Sequence, residues 1–324
     1  MMATARLLHQ TRAACSHTAD RAGRLWTNFW YAEDSTLGLG LFRVLFGICL
    51  YLEVETTRGR SVNAIDGGLR FPYLNWVPLV SEDTYNLIHN IQYPLIVLLA
   101  LGVLARPACL SLLVLQGYIF FADQLNFRNH PYFFLLVLLI LLPAPMDDAL
   151  SGQAWARALR TRKPVIVEMA GSRQPLVFQR LIQIQVCIVY FYAALHKLNS
   201  AYLSGQVLSY HLSESLPREL NRLIGGWLSV EMLYAVDDFL RNPTNLILPS
   251  ILSVALELSL PIGLMWSRTR TLAILFGSLF HITIGVTMNI TVFSGAMLGC
   301  YLLFIPPDRL LTAWNKIRRR PRHL

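Results

Sequence analysis

Four ionisable side chains fall where the surrounding sequence is apolar. His130 opens one apolar run, His196 and Lys197 close another, and His281 lies inside a third. Placing a charge at the centre of a bilayer costs about 2.5–3.5 kcal/mol on insertion scales, so such residues read first as functional. In the run Tyr190-Phe191-Tyr192-Ala193-Ala194-Leu195-His196-Lys197-Leu198, the spacing puts Tyr190, Ala193 and Lys197 on one helical face. A lysine among apolar neighbours can serve as a general base. A lysine at a helix end can equally snorkel to water, and spacing leaves both readings open.

The histidines carry the same duality. Asn129, His130 and Pro131 read as a helix start, with Asn129 before the helix and proline in its first turn. They also read as a rigid proton-handling group at the mouth of a bundle. His281, between Phe280 and Ile282, is either a satisfied core histidine or a site residue. Asn289 interrupts an apolar stretch too long for one helix and marks its break. Arg43 lies deep in the first apolar run and needs an acid, a carbonyl or an anion. Glu257, inside the sixth run, or Glu53 is the expected acid, which makes Arg43 and Glu257 a structural intramembrane pair.

Composition sets the class. The 324 residues are 54% hydrophobic and 15% charged, with mean hydropathy +0.45; soluble domains carry about 25% charged residues. The net charge of +9 comes from basic residues beside apolar runs, which is topology signal and not a nucleic-acid surface. Cys49, Cys109, Cys187 and Cys300 sit in apolar segments without C-x-x-C spacing, so they read as small hydrophobes, with no disulfide framework and no metal site. There is no H-E-x-x-H, P-loop or G-x-G-x-x-G. Haem ligation by two histidines cannot be read from spacing.

Eight apolar spans are expected, near 37–54, 86–104, 107–122, 131–146, 178–199, 244–265, 270–288 and 291–306. The basic segments alternate onto one side: the N-terminus, the link at Arg106, the 147–177 loop, the link at Arg268 and the tail from Lys316 to Arg320. The 199–243 segment on the other side carries Glu214, Glu219, Glu231, Asp237 and Asp238. This places both termini in the cytoplasm and turns His130, Lys197 and His281 outward. The fold class is therefore all-α: a polytopic transmembrane bundle with interfacial helices on its outer face. Residues 1–36 form a basic cytoplasmic lead without an apolar signal core, 37–308 the transmembrane domain, and 309–324 a basic cytoplasmic tail. Two outer segments, 55–84 with its Arg70–Pro78 aromatic stretch and 203–240 with a helix or two, such as 218–236, are expected to lie over the bundle as interfacial or lid-like elements.

An ordered series of motifs carries a resemblance. Arg43-Val44-Leu45-Phe46-Gly47, Arg70-Phe71-Pro72, Asn129-His130-Pro131-Tyr132, Val189-Tyr190-Phe191 followed by Lys197-Leu198, and Phe280-His281 resemble, in order, the membrane half of vitamin K-dependent γ-glutamyl carboxylase. The same series resembles its relatives, the HTTM (horizontally transferred transmembrane) family. The similarity runs from about 37 to 308. It implies a reduced vitamin K or another naphthoquinol as co-substrate, deprotonated by a lysine so that oxygen can add. The strong base so formed takes a proton from a glutamate side chain, and carbon dioxide traps the carbanion. Carried over, Lys197 falls on that base, His130 on the histidine of the carboxylation half, and His281 on the late histidine. Asn129, Tyr190, His196 and Asn289 are the expected binding residues around them.

The resemblance also has departures. Two adjacent lysines of the animal enzyme are matched here by His196 and Lys197, and its soluble C-terminal region has no counterpart in the 324 residues. The expectation is a quinol- and oxygen-dependent carboxylase or epoxidase in a membrane, bacterial inner or organellar. Its partners are lipid, quinol and a glutamate-containing peptide or protein, with no nucleic acid. The alternative is a non-enzymatic module for peptide maturation or for binding lipid or peptide. A transporter ranks last, because the ionisable groups form no path across the membrane.

Overall fold

A computed structural model of the chain describes residues 21, 23–58, 74, 76–122, 128–223, 226, 227 and 229–319. The principal apolar helices are α1 (Leu37–Arg58), α2 (Glu82–Leu101), α3 (Ala105–Ala122) and α4 (Asn129–Leu141). Two short helices follow, α5 (Gly152–Thr161) and α6 (Val165–Glu168). Then come α7 (Val177–Lys197), α8 (Ser200–Leu203), α9 (Gln206–Leu223) and α10 (Val230–Arg241). The chain closes with α11 (Ile247–Met265), α12 (Arg270–Thr287), α13 (Thr291–Tyr301) and α14 (Pro307–Arg319). Strands β1 (Glu33–Ser35) and β2 (Arg173–Pro175) pair antiparallel, Asp34 opposite Gln174.

Each expected apolar segment is a helix, and the bundle is all-α and membrane-like. Five segments are long and apolar enough to cross by themselves: α1, α3, α7, α12, and α11 with the 3₁₀ turn before it. A sixth arises if the run through Phe304 is joined to α14 across a bend of 93°. With 13 residues, α4 is about 20 Å long at 1.5 Å per residue, short of a hydrocarbon core of about 30 Å. It stops before Pro143 and Pro145, which offer no amide hydrogen to continue it. The expected 131–146 span is corrected accordingly. Its start is corrected too, since Arg128 occupies the position before the helix and Asn129 lies within it.

The 203–240 segment holds two helices, within the one or two expected, but 218–236 is not continuous. α9 ends at Leu223, Gly226 takes a positive φ of 79°, and α10 restarts where Ser229 Oγ accepts from the Met232 amide. The Arg70–Pro78 stretch lies largely outside the described residues, as do residues 1–20 and 320–324.

Burial shows which helix is central. In α1, 67% of the apolar window is buried, against 22% in α12, so α1 is the axis and α12 faces outward. Phe42, Phe46 and Phe134 stack with centroids 5.6 and 5.3 Å apart. A Cβ on Gly47 would come within 2.8 Å of the Ala100 Cβ, so α1 and α2 pack through this glycine. On α12 the pattern is inverted relative to a soluble helix. Ala273, Gly277, His281 and Gly285 face inward at four-residue spacing. Leu272, Leu275, Leu279 and Ile282 face out. Small residues inside and large apolar ones outside suit a lipid solvent.

One end of the bundle is tied by the basic segments. Thr36 Oγ1 donates to Asp148 Oδ2 at 2.6 Å, and the Ser172 amide and hydroxyl donate to the same oxygen at 2.6 and 2.8 Å. Trp314 Nε1 of α14 donates to the Ile166 carbonyl, and Gln179 and Gln183 both donate to the Leu303 carbonyl at 2.6 Å. The N-terminal lead, the 147–177 loop and the C-terminal helix thus gather at one end, the grouping their charge suggests.

Arg43 belongs to this end, and its expected pairing with Glu257 or Glu53 is not formed. The fully buried guanidinium donates to backbone carbonyls: Leu150 at 2.6 Å, Ala100 and Ala149 at 3.2 Å, and Met146. The chain turn after α4 presents three of these carbonyls and the end of α2 the fourth, so a backbone cage replaces a carboxylate. Gly102, at φ 65°, closes it: a Cβ there would sit 2.8 Å from Arg43 Nη1.

Candidate functional site

At the other end, α7 terminates at Lys197, and Asn199 Oδ1 accepts from the Tyr202 amide to start α8. Lys197 Nζ donates to Glu257 Oε1 of α11 at 2.6 Å. The ammonium also lies 5.5 Å from the Tyr202 ring centroid and 5.8 Å from that of Phe280, within the range of cation–π attraction. Glu257 is held where Pro261 sits inside α11. Proline cannot donate to the carbonyl four residues back, so the Glu257 peptide oxygen lacks its helical partner and α11 is locally loosened. Side-chain exposure is 26% for Lys197 and 5% for Glu257.

Beside the pair stands a buried aromatic and imidazole chain. His281 Nε2 and Tyr190 Oη are 2.6 Å apart, and Tyr190 Oη also meets Tyr301 Oη of α13. The order Tyr301 to Tyr190 to His281 Nε2 uses both hydroxyl hydrogens. The reverse order would leave the Tyr301 hydrogen without a bonded partner among the described residues. Each order leaves one buried donor unpaired, at a cost of about 1–3 kcal/mol: the His281 Nδ1 hydrogen in the first and the Tyr301 hydroxyl in the second.

Phe293 of α13 joins the two histidines. Its ring centroid lies 5.2 Å from that of His130 and 6.1 Å from that of His281. The structure thus brings together Lys197, Glu257, His281, Tyr190 and, through Phe293, half-buried His130. Exposed Asn129 adjoins His130 in sequence. His196 is exposed, its carbonyl accepting from Asn199 Nδ2. Asn289 forms the exposed turn between α12 and α13 at φ 52°, a left-handed conformation that asparagine tolerates.

Several residues of the cluster escaped sequence reading: Tyr301, Phe293, Tyr202 and the role of Glu257 as the lysine's partner. Gly277, four residues before His281, was the available signal for Tyr301. The Tyr301 hydroxyl occupies the space a Cβ at Gly277 would fill.

The buried side-chain atoms with no hydrogen-bond partner among the described residues include Glu257 Oε2, His281 Nδ1, Ser250 Oγ and Ser294 Oγ. Ser250 lies two turns before Glu257 on α11, and a Cβ on Gly285, one turn beyond His281, would lie 3.3 Å from Ser294 Oγ. Buried polar atoms left unpaired call for a ligand or water. The rings of Tyr202 and Phe280 flank Lys197, and that of Phe293 flanks His281.

A family model described as HTTM domain matches residues 31–309. No solved structure matches the chain.

Proposed function

The chain belongs to the HTTM domain family, and from that premise we propose that it is an integral-membrane enzyme using a naphthoquinol and oxygen at the Lys197 site. The observation that carries the proposal is the part-buried Lys197–Glu257 contact at 2.6 Å beside His281. A reduced naphthoquinone supplies a weakly acidic hydroxyl and two electrons for oxygen. The Lys197–Glu257 pair takes up its hydroxyl proton, His281 Nδ1 hydrogen-bonds its oxygen, and Phe280, Phe293 and Tyr202 exclude water from its ring. His130, across Phe293, handles the proton of a carbon acid such as a glutamate side chain, with carbon dioxide as the trapping reagent. The Arg43 end lies in the cytoplasm, and the Lys197 end opens to the far side of a bacterial inner membrane.

A photoreactive naphthoquinone tests the site directly. Crosslinks mapped by mass spectrometry are expected on the peptides holding Lys197, Glu257 and His281, and to be competed by unlabelled quinone. Labelling confined to other helices contradicts the proposal. One observation favours the alternative, a non-enzymatic module for binding or maturing a peptide. Tyr210, Trp227 and Tyr234 stand 68–88% exposed along the 206–241 segment. A peptide held there would bind equally well to a Lys197→Ala variant.

A further inference from the structure

The two members of the Lys197–Glu257 pair divide the work differently from the lysine-base scheme. Lys197 donates to one oxygen of Glu257, Oε1, at 2.6 Å, a short bond of the kind that opposite charges make. An ammonium has no lone pair, so in this arrangement Lys197 cannot take a proton. The second carboxylate oxygen, Oε2, is buried and accepts from nothing among the described residues. It is the free basic atom of the pair. For the lysine to accept a proton instead, its own must first pass to Glu257, which fills the same carboxyl.

We propose that Glu257, through Oε2, is the atom that takes up the ligand's hydroxyl proton, while Lys197 stays charged beside the oxygen that released it. The inference rests on the reading of this site as one for an aromatic hydroxyl compound. The step balances without an oxidant. The ligand O–H bond breaks with its electron pair left on the ligand oxygen, and a new O–H bond forms at Oε2. The site's net charge is unchanged, because the carboxylate loses one negative charge as the ligand oxygen gains one. Burial favours such a charge-neutral transfer over one that would leave an uncompensated charge.

The probe is 2-naphthol, which offers one acidic hydroxyl and no quinone redox couple, added to the full chain in lipid. Infrared difference spectra report a protonated carboxyl, and naphthol absorbance reports whether the bound hydroxyl is ionised. The expected result is bound, ionised naphthol with a new carboxylic-acid band in the wild type. The band is retained in Lys197→Arg, which keeps the charge but cannot act as a base, and shifted in Glu257→Asp. Glu257→Gln is expected to lose the band and to bind naphthol only as the neutral molecule. Ionised naphthol without a carboxyl band, persisting in Glu257→Gln and lost in Lys197→Arg, would assign the proton to the lysine and overturn the inference alone. No naphthol bound to the wild type overturns the reading of the site and this inference with it.

Discussion

Tyr190 and His281, 91 residues apart in the chain, share a 2.6 Å hydrogen bond that joins α7 to α12. The same tyrosine hydroxyl meets Tyr301, so one side chain ties three helices together. Tyr190→Phe removes both contacts and leaves His281 Nε2 and the Tyr301 hydroxyl unpaired. The expected cost is about 1–3 kcal/mol, seen as a lower thermal midpoint in detergent or lipid, with weaker quinone crosslinking. An unchanged midpoint would show the bond to be absent.

Gly277→Ala puts a methyl where the Tyr301 hydroxyl sits. Overpacking of this kind costs about 1–3 kcal/mol. In a Tyr301→Phe background the same change is expected to cost less, since the obstructing oxygen is gone. A double-mutant cycle in unfolding free energy measures the difference. Strict additivity would contradict the contact.

Arg43→Leu leaves several buried carbonyls without donors, and a loss of about 3 kcal/mol or more is expected. Arg43→Lys keeps the charge but not the planar fork that reaches Leu150, Ala100 and Ala149 together, so it should recover only part of that loss. Proteolysis of the 146–151 turn in membranes is the second readout. A full rescue by lysine would mean that charge alone matters there.

Asp148 gives a pH dependence at the basic end. Burial acts to raise its pKa, but hydrogen bonds from Thr36 and Ser172 and the charge of Arg157 outweigh it and hold the carboxyl below the usual range. A depressed folded value stabilises the protein above the unfolded pKa and is lost as pH falls through the folded one. The wild-type thermal midpoint should therefore drop more steeply below about pH 4 than that of Asp148→Asn. Parallel curves would remove Asp148 from the latch.

The legible and illegible parts of this fold separate by physical cause. Apolar runs and the break at Asn289 could be read because a bilayer demands continuous hydrophobic helices. The end of α4 was misplaced because apolar length outweighed Pro143 and Pro145 in the reading. Arg43 was misassigned for a related reason. Sequence displays carboxylates but not backbone carbonyls, and only the folded turn at 146–150 with the end of α2 at Ala100 offers the guanidinium its acceptors. The grouping of His130, Lys197 and His281 toward one end followed from alternation of the loops, whereas Lys197 with Glu257 and Tyr190 with Tyr301 depend on which helix faces are neighbours. Helix adjacency is a tertiary property that no local spacing encodes.

The central claim is that the Lys197–Glu257 site activates a quinol. Purified protein in lipid, supplied with reduced naphthoquinone and oxygen, should form the quinone epoxide. Lys197→Ala and Glu257→Gln should lower the rate at least 100-fold (about 2.7 kcal/mol in activation energy). Epoxide formed at the wild-type rate by folded Lys197→Ala, or none formed by the wild type, would contradict the account.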